Sequence, residues 1–287
     1  MGLPGCETTD WLTLGGPAGS KSVGGASAAA SAPSALAASS GNSAARGSLS
    51  SLGRAVIVLR INFDVFRVRV ARGVFSESGK IWNHLDEEAI PADTALLLQR
   101  NGLRAARGKL DSWPPIKALL EAETQVETSR SSMMVSNGLP LTVELDPRPR
   151  TQVLFLLRAD GHGAGRTYAE STNSLRIEYE IPLTDTNAVV VEAMPEIRLP
   201  QTAARFAFAP DGLIEHPAQR PARVLRELAF RMVVGPDEFF VIGPSSAAHQ
   251  AHLAGSLFLC EEIEGRQFES MYFITPRVVA TGQSRGP

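Results

Sequence analysis

The run Ala55-Val56-Ile57-Val58-Leu59-Arg60-Ile61-Asn62-Phe63-Asp64-Val65-Phe66-Arg67-Val68-Arg69-Val70 carries two opposed alternations. Up to Asp64 the odd positions Ile57, Leu59, Ile61 and Phe63 are apolar, while Arg60, Asn62 and Asp64 are polar, the period of a half-buried strand. From Phe66 the even positions Phe66, Val68 and Val70 are apolar instead. Successive side chains of a strand point to opposite faces. Keeping one face inward therefore calls for a bulge, a bend or a second strand near Val65.

Downstream, residues 91–100 predict a helix: proline suits the first turn, Leu96, Leu97 and Leu98 form an apolar side, and Asn101-Gly102 gives a left-handed stop. Residues 103–107 read as a strand. Asp111-Ser112 then caps a second helix, which opens at Trp113-Pro114-Pro115 and runs through Ile116, Leu119 and Leu120 to about Glu123. Strand, helix, strand, helix make residues 54–124 a small α/β module. Beyond Thr124, residues 141–145, 152–157, 175–180 and 188–193 carry short strand patterns, with hairpin turn signals at Asp160-Gly161 and Asp211-Gly212. Leu228, Phe230, Met232 and Val234 share one face of a further strand. Gly235-Pro236-Asp237-Glu238 turns the chain, Phe239-Phe240-Val241-Ile242-Gly243 returns it, and residues 271–279 form a closing apolar strand. No helix is predicted over residues 125–280. The fold class is thus α+β, the α/β module being followed by a mainly antiparallel β domain, with residues 281–287 as a tail.

A chain of 287 residues that is 44% hydrophobic and 20% charged has room for one or two domains with a real core. Its net charge of −2 argues against a general polyanion binder, and its arginines are scattered, so no nucleic-acid partner is expected. No stretch approaches the roughly 20 apolar residues of a membrane-spanning helix. The N-terminal part differs: between Gly15 and Gly53, 30 of 39 residues are Gly, Ala or Ser, which leaves too little apolar surface to offset the entropy of ordering. Residues 1–53 are accordingly expected to form a disordered tether.

Leu3-Pro4-Gly5-Cys6 resembles the lipobox of bacterial lipoproteins, and the resemblance implies an acylated Cys6. Only Met1 and Gly2 precede the box, where a signal needs a charged and an apolar region. Either the sequence begins inside such a signal or the match is accidental. The second cysteine, Cys260, sits in the apolar run Leu257-Phe258-Leu259 and reads as a small buried hydrophobe.

The last strands carry a further resemblance. Val241-Ile242-Gly243, then Gly255-Ser256-Leu257-Phe258, then Ile274-Thr275-Pro276-Arg277-Val278-Val279 are similar in order and spacing to the C-terminal part of the secretin domain, the outer-membrane ring protein of type II and type III secretion and of type IV pili. Pro244 stands where that family has a second glycine, and the proline-rich segment before the G-x-L-F element is missing. The resemblance implies that Val241, Ile242, Gly243, Gly255, Leu257, Phe258, Ile274, Thr275 and Pro276 mark assembly surfaces, with the α/β module as a periplasmic docking ring.

Candidate chemistry is sparse. His84 and Asp86, within His84-Leu85-Asp86-Glu87-Glu88, could serve acid–base work or bind a metal, but the stretch also reads as a solvated acidic segment. His249 and His252, three apart, lack a third ligand nearby. The glycine-rich loop Asp160 to Arg166 lacks the Lys-Ser/Thr ending of a phosphate-binding loop, and no serine lies in a G-x-S-x-G elbow. No catalytic residue, metal or cofactor is expected. The resulting expectation is a non-catalytic cell-envelope protein, a secretin-like component or accessory of a secretion or pilus complex. It would be anchored to a membrane through Cys6 and partnered by copies of itself or by other subunits of the complex. The alternative is a soluble ligand- or partner-binding α+β protein unrelated to secretion.

Overall fold

A computed structural model describes residues 56–135, 138–200 and 221–283. Cys6, the tether, Asp211-Gly212 and residues 284–287 of the tail lie outside the described residues. Within them, β1 (Val56–Ala71) leads through one-turn helical segments to α1 (Ala92–Arg100), β2 (Leu103–Lys109), α2 (Trp113–Glu121) and β3 (Glu127–Val135). There follow β4 (Leu141–Leu157), β5 (Gly163–Glu180), β6 (Val189–Arg198), β7 (Ala222–Val224), β8 (Phe230–Val234) and β9 (Glu238–Pro244). The short α3 (Ala254–Leu259), β10 (Cys260–Ile263) and the long β11 (Arg266–Gln283) close the chain. The fold is α+β and mainly antiparallel, as the sequence predicts.

The strands form two sheets, one in the order β2-β9-β11-β1-β3 with β10 paired to β11, the other in the order β4-β5-β6-β7 with β8 paired to β6. The opposed alternations in β1 are explained here without a bulge: its register with β3 runs unshifted from Ile61↔Val135 to Arg69↔Glu127. What changes along the strand is the face that is covered. Ile61, Phe63 and Val65 join Leu103, Phe240, Ile242, Tyr272 and Ile274 in a core shared with the second sheet through Leu154, Leu175, Ile177 and Val191. Phe66 points the other way and meets Trp113 of α2 and Phe273, with Phe239 completing a set of ring contacts at centroid distances of 5.3 to 6.3 Å. Val68 and Val70 share its face by parity and are fully buried. The centre of the first sheet is thus covered on both sides.

This arrangement corrects the division at Thr124. β1 and β2, assigned above to a separate module, lie in the same sheet as β9 and β11, and residues Ile57–Thr281 form one compact unit. Strand periodicity reports which face is buried but not which partner pairs, so a strand matched to a distant segment looks local in sequence. The expected strands over 141–145 and 152–157 are likewise one strand, β4, with register shifts around Asp146, Arg150 and Gln152 that accommodate Pro147 and Pro149.

Both predicted helices are present. Gly102, at φ +83°, ends α1 in the left-handed region, and Pro114 and Pro115 occupy the first turn of α2. Asp160-Gly161 does turn β4 into β5, with Gly161 at φ +83°. A second hairpin turn, Glu264-Gly265, joins β10 to β11 with both residues at positive φ.

Candidate functional site

The segments of the secretin resemblance fold together. β9 pairs with β11 through Ile242↔Tyr272, Val241↔Phe273 and Phe240↔Ile274, and the Gly255-Ser256-Leu257-Phe258 element forms most of α3, a helix not expected from the sequence. As assembly surfaces, however, these residues are corrected by their surroundings. Val241, Ile242, Phe258, Ile274 and Thr275 are at most 2% exposed, Gly243, Gly255 and Pro276 are buried, and Leu257 is half-buried. β9 is paired on both edges, by β2 and β11, and β11 lies between β9 and β1. Apolar residues on both faces of a central strand make it core, leaving it no edge to offer another chain.

The two glycines explain themselves by close approach. A Cβ on Gly255 would stand 1.9 Å from the Gly102 carbonyl oxygen, because the Gly255 amide donates to the Asn101 carbonyl. A Cβ on Gly243 would stand 2.9 Å from the Trp82 ring. The Leu257 carbonyl accepts hydrogen bonds from Arg150 and from Asn173 Nδ2, tying α3 to the second sheet.

The candidate chemical groups serve structure. Asp86 caps a helical turn by accepting from the Glu88 amide, exchanges backbone hydrogen bonds with Arg107 and pairs with its guanidinium at 2.9 Å. His84 stands two residues away at the end of a separate one-turn segment. His249 and His252 diverge: His252 stacks edge-on to Phe155 at 5.9 Å and its carbonyl accepts the Phe155 amide, whereas His249 turns to Ser76. Gly163 to Arg166 of the glycine-rich loop belong to β5. Among the described residues no cluster of His, Cys, Asp or Glu has the makings of a metal site.

Sequence reasoning missed one constellation. Ser76 Oγ lies 2.9 Å from His249 Nε2 and donates to buried Glu269 at 2.6 Å. It has the residue types of a nucleophile and base but the wrong proton arrangement. Arg72 Nε, always a donor, is bonded to His249 Nδ1, so in the neutral ring Nε2 carries the hydrogen and cannot accept one from Ser76. Glu269 also accepts the Phe75 and Ser76 amides, fixing the loop after β1. Cys260 is not fully buried; desolvation, with Glu269 nearby, pushes its thiol up to about 12, far from thiolate chemistry.

The feature that sets this molecule apart is the edge formed by β3. Its nine residues Glu127 to Val135 are exposed or half-exposed on both faces, and its only partner strand among the described residues is β1. Arg69 pairs with Glu127, and Asn62 and Ser132 exchange side-chain hydrogen bonds at 3.0 and 3.1 Å, holding the strand regular. Three other margins are blunted. β2 is covered by the Asp86–Arg107 bridge, β4 carries Pro147 and Pro149 with its register shifts, and β7 is three residues long. β3 has no proline, lysine or bulge. No motif announces such an edge; the polar run Thr128-Ser129-Arg130-Ser131-Ser132 was its only trace.

No family model matches the chain, and no characterised protein matches it in sequence. Among solved structures it is similar to a chain of the Klebsiella pneumoniae type II secretion outer-membrane complex of PulD, PulS and the PulC HR domain (10% identity, 79% of this chain, TM-score 0.20). It is also similar to the InvG secretin-domain β-barrel of the Salmonella injectisome (9%, 80%, 0.23) and to the Escherichia coli type II secretin GspD (11%, 78%, 0.20). The chain spans 40%, 65% and 50% of those chains respectively. At these scores the overlap does not define a common fold.

Proposed function

We propose that this chain is a non-catalytic, secretin-like subunit or accessory of a cell-envelope secretion or pilus complex, and that it assembles by adding a neighbour's strand to β3. The observation that carries the reading is the nine-residue edge of β3, exposed or half-exposed along its length and paired among the described residues only with β1, where β2, β4 and β7 are blunted. A neighbouring strand would pair its outward backbone groups, which in a lone subunit rely on water. The order of the Val241-Ile242-Gly243, Gly255-x-Leu257-Phe258 and Ile274-Thr275-Pro276 segments supports the secretin-like assignment, now as the core that builds the sheet rather than as the contact. An acyl group on Cys6 would hold such a subunit at the membrane.

The test is the mass of the full chain in solution by light scattering. Assembly into a multimer is expected. Ser129→Lys combined with Ser131→Lys, two exposed positions on the edge, should return it to a monomer with unchanged thermal stability. A wild-type monomer at every accessible concentration, or a multimer indifferent to the two lysines, overturns the reading.

A further inference from the structure

Between β1, β4 and β10 lies a partly open cavity of about 220 Å³. Three guanidinium groups line it, and their arrangement is built. Arg67 donates to Ser270 Oγ and to Glu261 at 2.8 Å and lies over the Tyr272 ring; Arg69 donates to the same Glu261 oxygen at 2.8 Å and lies over the Phe268 ring. Arg148 forks onto Asp146 at 2.9 and 3.1 Å and approaches the other Glu261 oxygen at 3.3 Å. Stacking and bidentate pairing fix these donors before anything binds.

The charges do not balance. Three arginines face two carboxylates, and the next neighbours, Arg150 on Asp146 and Glu127 on Arg69, add one charge of each sign, so one positive charge remains. Burial works to raise the Asp146 carboxyl, yet Arg148 and Arg150 outweigh it and hold it below the usual carboxylate range, so it stays ionised and the excess stays at one. Arg69 Nε is buried and finds no acceptor among the described residues. The Arg69 Nη atoms, held by Glu261 and Glu127, keep its guanidinium fixed beside the cavity. The remaining wall is apolar, with Leu145, Pro147 and Phe258.

We propose that this cavity binds a monocarboxylate bearing a compact apolar or aromatic group. A single negative charge matches the excess, whereas a phosphate dianion would overshoot it, and a cavity of roughly 150 Å³ already takes benzene, so the volume suffices. The carboxylate belongs either to a free organic acid or to the terminal residue of a peptide. The proposal does not rest on strand addition at β3.

The probes are phenylacetate, its neutral counterpart phenylacetamide, N-acetylphenylalanine and inorganic phosphate, titrated calorimetrically into the full chain. Phenylacetate is expected to bind saturably at one site and phenylacetamide not to bind. Arg148, 47% exposed, is replaceable without opening the core. Arg148→Gln should weaken phenylacetate about tenfold or more, Arg148→Lys less, and Arg231→Gln, an exposed arginine paired with Glu180 outside the cavity, not at all. If N-acetylphenylalanine binds as well, the natural source is a chain terminus; if only phenylacetate binds, it is a free acid. No binding of phenylacetate, equal binding of the amide, displacement by phosphate at equal concentration, or affinity unchanged in Arg148→Gln each overturns the proposal.

Discussion

Gly255 and Gly243 lie in the same resembling stretch, yet they are required for different reasons. At Gly255 the obstacle is backbone, the Gly102 carbonyl, at the end of a helix anchored by Asn101. At Gly243 the obstacles are the Trp82 ring and the terminal methyl of Met271, which can shift. Gly255→Ala should therefore cost about 3 kcal/mol and lower the melting temperature by about 6–12 °C, and Gly243→Ala about half as much. Thermal unfolding followed by circular dichroism checks the order, and an equal loss at both would refute the distinction. Such roles were only half legible in the sequence. That Val241, Ile242 and Ile274 are apolar was plain, but alternation cannot tell a strand covered by its own chain from one covered by a neighbour. Arg67, Arg69 and Arg148 passed as scattered arginines because β1, β4 and β10, which bring them to one cavity with Glu261, are far apart in sequence.

At the scale of elements, the local signals held where local chemistry decides the outcome. Proline at the start and Asn101-Gly102 at the end placed α1, and paired prolines placed α2. α3 went unread because a six-residue helix containing glycine has almost no periodicity to show; packing against Gly102 and the second sheet holds it. The bulge, bend or second strand expected near Val65 was the natural inference from a one-faced sheet, and none was needed because α2 covers the opposite face of β1. Asn101 shows what joins these elements: fully buried, its amide donates to the Leu97 and Leu157 carbonyls at 2.9 Å while its oxygen accepts the Leu157 amide, so α1 is riveted to the end of β4. Asn101→Ala would leave the Leu157 amide and carbonyl without their partner, while the Leu97 carbonyl keeps the Asn101 backbone amide, and should cost about 2 kcal/mol in urea unfolding. A loss under about 1 kcal/mol would mean that water takes over those bonds.

For the whole molecule, the interleaving of early and late strands in one sheet has a thermodynamic signature. A chain built as two modules meeting at Thr124 would unfold in two steps. The order β2-β9-β11-β1-β3 instead ties residues on both sides of that point into one unit. The change in tryptophan fluorescence contributed by Trp82 and Trp113, measured with Trp11→Phe, and far-ultraviolet circular dichroism should accordingly give coincident denaturation curves. Two separated midpoints would restore the division.

The same strand order bears on how the chain is made. Among the described strands β1 is made first, but one of its flanking strands, β11, is made after all the others, so the middle of the sheet stays incomplete until then. Closing a loop that long is slow, and the half-built sheet exposes strand edges while it waits. Until β11 has been made, β1 and β9 lack the strand that separates them, and the sheet can close only afterwards.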